Sequence, residues 1–449
     1  MLLQKHLDPQ LRVPWYCAQV GIFIFPVSQF SGSIFLLLSF VTVYIEKRQE
    51  IQNNSINWGF ACLGFLLIIT VFLSSNYIAG VKGLVNFLPY FFIFAFFSQL
   101  VQHYTQLKQL TWILFLSAFP ILLLGFGQIF LEWAGPIKWG LIVNWHLHYM
   151  GNPTYRMSSV FYHANFCASY LVTVFILGLG LLLAQFLRPI SLNNLIKAII
   201  LIICNSLIVI ALILTHSRNA WMVTFLSCLA FILYLSWYWL LIPVATGITI
   251  VFSTAFGNFS FQNRLQSIIP IFIWGRLNDS LYPERDINTL RITQWKFAWN
   301  FTIQSPWIGG GLGNFGYLYE AETQTFISHP HNLILMLTSE VGIPATLCLY
   351  SLVGWIVIKG VILFKSLSNT YTIRNDFFKT ISKYYKSKNL KRIIKKEFKV
   401  IIFSYLVALL SYAIFNIFDV VIFDTRVNLL PWLLLSSING LTLQKSGIN

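Results

Sequence analysis

Between Arg291 and Gly342 the chain gathers side chains that can handle an anion and a proton. The order is R-I-T-Q-W-K-F-A-W-N, then S-P-W-I-G-G-G-L-G-N-F, then H-P-H-N-L-I-L-M-L-T-S-E-V-G. Arg291, Trp295 and Trp299 fall at i, i+4 and i+8, which predicts one face of a helix. Pro306 and the glycines Gly309, Gly310, Gly311 and Gly313 end that helix, since proline and glycine break it and open turns. The apolar run from Leu333 starts another helix, with Asn332 or a neighbour as its cap. A helix bearing arginine, a glycine turn and His331 at a helix N-terminus together suit a phosphate group.

Two further arginines lie outside this stretch. Arg156 precedes an apolar run that begins near Val160, and Arg218 stands in T-H-S-R-N-A-W at the start of another. Singly, each reads as a cation snorkelling to a membrane interface, and Arg291 as a stacking partner for tryptophan. On one side of a membrane, the three forks match the oxygens of a diphosphate. Other polar residues carry weaker signals. His329 and His331 form only an H-x-H, and Glu320 and Glu322 complete no ligand spacing, so no metal is expected. Asn165 and Tyr170 inside a span read first as a helix–helix hydrogen bond. Glu340 reads equally as the partner of an arginine or as a reacting carboxylate. The G-G-G-L-G run has no preceding strand and no following Lys-Ser/Thr, which excludes a nucleotide loop.

The elements that must hold these groups are membrane helices. Hydrophobic residues make up 57% of the 449, charged residues 10%, and phenylalanine alone occurs 41 times, which excludes two or three soluble domains. The formal charge of +16 is concentrated in short segments between apolar runs, the pattern of cytoplasmic loops and not of a nucleic-acid surface. The six cysteines mostly lie within apolar runs without paired spacing, so they read as small core residues. No cleavable leader is expected, because a dozen polar residues precede the first apolar run.

Apolar runs near 13–29, 31–46, 57–75, 83–102, 110–130, 160–186, 194–214, 218–236, 237–255, 342–364, 399–417 and 422–441 predict about twelve transmembrane helices. The expected fold is an all-α polytopic membrane protein with a large helical periplasmic loop between spans 9 and 10. Residues 1–255 form the first nine spans, 256–341 the loop that carries the candidate site, and 342–449 the last three spans. Residues 365–399 hold eleven lysines and arginines against Asp376 and Glu397, which assigns that loop and both termini to the cytoplasm. Counting back puts 131–159, 256–340 and the Thr215–Arg218 turn together on the outer face.

The ordered set of motifs resembles the O-antigen ligase/O-antigen polymerase superfamily of bacterial membrane glycosyltransferases. It runs through Arg156, Asn165 and Tyr170, through Ser217-Arg218-Asn219-Ala220-Trp221, and through Arg291-Ile292-Thr293-Gln294-Trp295. It continues through Pro306, Gly309 to Gly313, Asn314, Phe315, His331-Asn332 and Glu340-Val341-Gly342. The resemblance implies transfer of a glycan from an undecaprenyl-diphosphate carrier to an acceptor hydroxyl at the periplasmic face of the inner membrane, without metal, nucleotide or other cofactor. The acceptor would be another glycan, lipid A core or a further hydroxyl compound. Carried onto this sequence, Arg218 and Arg291 bind the diphosphate, and His331 acts as general base or positions the acceptor. Arg156, Asn165, Trp295, Gly311, Asn314, Asn332 and Glu340 line the substrate site. A rival reading is a transporter of a small solute or inorganic carbon, some relatives being labelled so. A transporter places ionisable residues at mid-membrane on broken helices, whereas these candidates sit at one edge and in the loop, which favours the enzyme.

Overall fold

The computed structural model describes residues 6–443 apart from 75, 141, 276–277, 279–286 and 368–387. Eighteen α-helices and one short hairpin are described. The first half comprises α1 (Arg12–Ile24), α2 (Gln29–Gln52), α3 (Ser55–Phe72), α4 (Tyr77–Leu84), α5 (Leu88–Leu100), α6 (Tyr104–Leu116) and α7 (Ala118–Phe130). The hairpin pairs β1 (Gly135–Trp139) with β2 (Val143–Leu147) in antiparallel register. Then come α8 (Ala164–Phe186), α9 (Leu192–Leu214), α10 (Arg218–Leu235) and α11 (Leu241–Phe256). Short α12 (Gln262–Ile268) and α13 (Ile271–Trp274) precede α14 (Arg291–Gln304) and α15 (Phe315–Thr323). The chain closes with α16 (Leu333–Ser366), α17 (Lys388–Phe418) and α18 (Thr425–Leu443).

Among the described residues, ten helical stretches are long and apolar enough to cross a membrane, so the protein is an all-α polytopic membrane protein. Two expected spans depart from that standard. The run near 13–29 becomes the 13-residue α1, about 20 Å long at 1.5 Å per residue and short of a 30 Å hydrocarbon layer. The run near 422–441 becomes α18, whose residues Val427 to Leu441 are all buried. Its Asn428, Ser436, Ser437 and Asn439 lower its apolarity but serve packing. Asn439, for example, donates to Ser98 Oγ at 3.1 Å across to α5. Two other spans are jointed. Pro89 in the first turn of α5 separates it from α4, and the chain turns at Ser117 between α6 and α7.

The centre of the bundle is α8, buried along most of its length, with α17 packed against it and α18 against α5. At the margin, α11 buries only Thr254 and Ala255 and turns its isoleucines and phenylalanines outward, as a lipid-facing helix does. The connection 131–159, expected on the outer face, contains the hairpin. Trp145 of that hairpin donates its indole N–H to the Val27 carbonyl in the α1–α2 turn.

The expected basic loop 365–399 is shorter than it reads. Helix α16 continues to Ser366 and α17 begins at Lys388, while Arg374, Asp376, Lys379, Lys383 and Lys386 lie outside the described residues. Glu397, counted there as a loop residue, is fully buried in α17.

Candidate functional site

Four helices begin at one end of the bundle, and the candidate residues sit on their first turns. Arg218 is the first residue of α10 and Arg291 the first of α14. Asn165 is the second residue of α8, whose N-cap His163 accepts the Asn165 N–H. Asn332 caps α16, its side-chain oxygen taking the Leu335 N–H at 3.0 Å. At α10 and α14 the N-cap residues Ser217 and Leu290 make no side-chain cap bond among the described residues. The positive ends of these dipoles and the arginine charges therefore point at the same region.

That region is a cavity of about 330 Å³ lined by Arg156, Asn165, His216, Arg218, Arg291 and the end of α17 at Phe418. Sequence reading placed the three arginines on one face; the structure places them around one space. Arg156 is oriented by two bonds, Nε to the Thr215 carbonyl at 2.8 Å and Nη2 to Asn165 Oδ1 at 2.6 Å. Asn219, next to Arg218, donates to the Phe415 carbonyl at 2.8 Å and ties α10 to the end of α17.

The residue that joins this cavity to the histidines is Asp419, which the sequence reading did not single out. It follows the last residue of α17 and is buried. Its Oδ2 accepts the Asn165 side-chain amide, and its Oδ1 lies 3.0 Å from His331 Nδ1 and accepts the Val420 N–H at 3.0 Å. A proton on Nδ1 donated to Asp419 leaves His331 Nε2 as a free lone pair, the tautomer a general base needs. Burial alone would raise the Asp419 pKa. The hydrogen bond from His331 and the nearby His331, His329 and Arg291 charges outweigh it and hold the carboxyl below its usual range. The available signal was a pair of acids, Asp419 and Asp424, in the apolar stretch N-I-F-D-V-V-I-F-D of a chain with only 14 acids.

His331 itself is held in a left-handed backbone conformation, φ 52°, which a non-glycine residue adopts at a cost. Its neighbours hold it there. Trp295 Nε1 donates to the Pro330 carbonyl at 2.8 Å, and the His331 N–H meets His329 Nδ1 at 3.2 Å. The His329 ring stacks on Phe423, centroids 5.3 Å apart, and burial followed by the His331 charge lowers its pKa to about 3. His216 on the cavity wall is also left-handed, φ 49°.

Gly311, Asn314 and Glu340 lie elsewhere, in a closed clip between the glycine turn and α16. Helix α16 breaks at Gly342 (φ 79°, ψ 170°), just before Pro344. The break and the proline, which has no N–H, leave the Ser339 and Glu340 carbonyls without helical donors. Gly310 N–H and Gly311 N–H supply them at 2.9 and 2.8 Å, and the Pro306 carbonyl takes the Ile343 N–H at 2.8 Å. The fully buried Glu340 carboxylate accepts the N–H groups of Gly313 at 2.9 Å and Phe315 at 3.2 Å. A Cβ at Gly342 would stand 2.4 Å from the Trp307 carbonyl oxygen, and one at Gly311 would stand 2.0 Å from Ser74 Cβ. Asn314 is buried, with its amide on the Leu312 and Asn76 carbonyls. None of these three lines the arginine cavity.

One further grouping bears on chemistry. The ligand-capable atoms of His329, His331 and Asp419 all lie within 4.8 Å of one another, a set that could hold a cation.

No curated protein matches the chain. Residues 203–350 match the family model described as O-antigen ligase. That segment holds Arg218, Arg291, His331 and the Glu340 clip, while Arg156, Asn165 and Asp419 approach the same site from outside it. Over this segment the chain is similar to the O-antigen ligase family.

Proposed function

We propose that the protein transfers or polymerises a glycan from an undecaprenyl-diphosphate carrier onto an acceptor hydroxyl at the periplasmic face of the inner membrane, in surface-polysaccharide synthesis. The observation that carries this reading is the single cavity shared by Arg156, Arg218 and Arg291, linked through Asn165 and Asp419 to His331. In the reaction the acceptor oxygen attacks the anomeric carbon, and the bond from that carbon to the phosphate oxygen breaks. The lipid diphosphate leaves with the electron pair, and the acceptor proton passes to His331 Nε2. The arginines and helix N-termini stabilise the growing charge on the diphosphate, and Asp419 fixes the imidazole and stabilises it once protonated. The direct test supplies purified protein with undecaprenyl-diphosphate-linked oligosaccharide and a glycan acceptor. Enlarged product together with released carrier diphosphate supports the reading; intact donor under every acceptor condition would sink it.

The proximity of His329, His331 and Asp419 favours one second reading, in which a divalent cation held there activates the acceptor hydroxyl in place of a free His331 base. Turnover lost to EDTA, restored by zinc and lost equally in His329→Ala and His331→Ala would select it. Sidedness has its own test, because the proposal needs the arginine cavity outside. Gly311 is unsuitable as a cysteine probe, given its φ of 94° and the contact with Ser74. The exposed Glu322 serves instead. Glu322→Cys should react with an impermeant thiol reagent in intact cells, and a cysteine within 368–387 should resist it.

A further inference from the structure

A second polar centre lies at the opposite end of the bundle. From Asn165 to Arg188 along α8 and its C-terminal turn is roughly 35 Å at 1.5 Å per residue. There the buried Glu397 carboxylate is surrounded by donors. Arg188 Nε reaches Oε1 at 2.6 Å, while Arg188 Nη2 at 3.1 Å, Lys108 Nζ at 2.6 Å and the Tyr104 hydroxyl converge on Oε2. Three of these four donors crowd onto Oε2, and one is on Oε1. Among the described residues this carboxylate pairs with two cations whose side chains are only 11% and 25% exposed. Both cations are thus held largely away from water and aimed by one carboxylate beside the adjoining space.

Beside the cluster is a cavity of about 360 Å³, lined by Lys108, Arg188, Glu397, Trp112, Gln109 and Asn194. The Trp112 indole N–H on its wall is buried and has no hydrogen-bond partner among the described residues. A buried donor left unmade costs about 1–3 kcal/mol, so its position beside two cations points to an acceptor in the cavity. The α17 residues that line this space, Leu390, Ile393 and Ile394, alternate with Lys391, Arg392, Lys395 and Lys396, which raise the positive potential around its mouth.

We propose that this cavity binds a phosphate group, held by Lys108 and Arg188 with the Trp112 N–H as a third donor, separate from the cavity used for transfer. The group belongs either to an anionic phospholipid headgroup, which a pocket between membrane helices can reach from the bilayer, or to a soluble phosphate. The carboxylate of Glu397 then acts as the fixed strut that aims both cations.

The test is thermal unfolding of the detergent-solubilised full chain, titrated separately with phosphatidylglycerol, phosphatidylcholine and inorganic phosphate. A midpoint raised by several degrees with phosphatidylglycerol, and not with phosphatidylcholine, identifies a lipid headgroup. A rise with inorganic phosphate alone identifies a soluble anion. Lys108→Met should weaken the effective ligand by about tenfold or more, and Trp112→Phe should weaken it less while leaving the unliganded midpoint in place. Trp112→Phe keeps the proposal testable if Lys108→Met fails to fold. A wild-type midpoint that ignores both phosphate sources, or a rise that survives in Trp112→Phe and Lys108→Met alike, overturns the proposal and leaves Glu397 as a structural staple.

Discussion

The arginine cavity and the glycine clip both draw on the same seventy-odd residues between α11 and α16, yet they solve opposite problems. In the clip the Glu340 carboxylate and the carbonyls freed by the helix break are answered from within the protein. Glu340 takes two backbone N–H groups, and the carbonyls freed by the break at Gly342 take two more. In the cavity the guanidinium groups of Arg218 and Arg291 are exposed on helix starts, around space large enough for a diphosphate. A closed polar network stabilises and fixes shape, whereas an open one retains binding capacity for something absent from the chain. The clip holds α16 and the glycine turn together, and thereby sets where His331 stands at the head of α16.

That contrast predicts different consequences for substitution. Arg291→Ala or Arg218→Ala removes a charge-assisted contact in the open network. Each should lower transfer by on the order of a hundredfold while the protein inserts and melts normally. Arg→Lys should recover only part of the loss, because an ammonium lacks the fork. Near-normal transfer by both alanine variants would remove the cavity from the reaction.

In the closed network the sign of the experiment reverses. Glu340→Gln leaves one donor facing the amide and should cost about 1–3 kcal/mol of stability, read as a lower unfolding midpoint. The folded fraction should transfer glycan at near wild-type rates. A large fall in turnover at an unchanged midpoint would instead give Glu340 a part in the chemistry.

The smallest effect expected is a pH slope. Burial and the neighbouring His331 charge hold His329 down at about 3, against 6.5 for a free histidine. The unfolded chain thus takes up that proton near pH 6.5, and the folded protein refuses it until about 3, so stability falls as the pH drops between them. His329→Gln should flatten this slope. Asp419 adds to the same slope at lower pH: its lowered pKa contributes stability above its unfolded value of 3.8, lost as the pH falls through the folded value. A His329→Gln slope as steep as the wild type would mean that other groups dominate acid unfolding.

Arg291, Trp295, Pro306, the glycine run and Asn332 were legible because local chemistry alone dictates a helix, its end, a turn and a cap. What the glycine turn packs against was not, since it depends on carbonyls released by Pro344 in another segment. Asp419 was missed because its meaning comes from Asn165 and His331, hundreds and tens of residues away. Glu397 was misplaced for a related reason. In a run of lysines it reads as a loop acid, and only the meeting of α6, α8 and α17 shows it buried. The expected spans at α1 and α18 form helices that are short or polar inside the bundle, because hydropathy measures affinity for lipid and not for neighbouring helices.

The central claim is that the arginines bind the carrier diphosphate while His331, oriented by Asp419, moves the acceptor proton. The most direct measurement determines donor binding and single-turnover transfer separately for Arg291→Ala, His331→Ala and Asp419→Asn, using purified lipid-linked donor with and without EDTA. The account predicts weakened donor binding for Arg291→Ala. For His331→Ala and Asp419→Asn it predicts near-normal binding with transfer slowed by about a hundredfold and about tenfold respectively, and EDTA without effect. Full transfer by His331→Ala at saturating donor would contradict it, as would donor binding unchanged in Arg291→Ala.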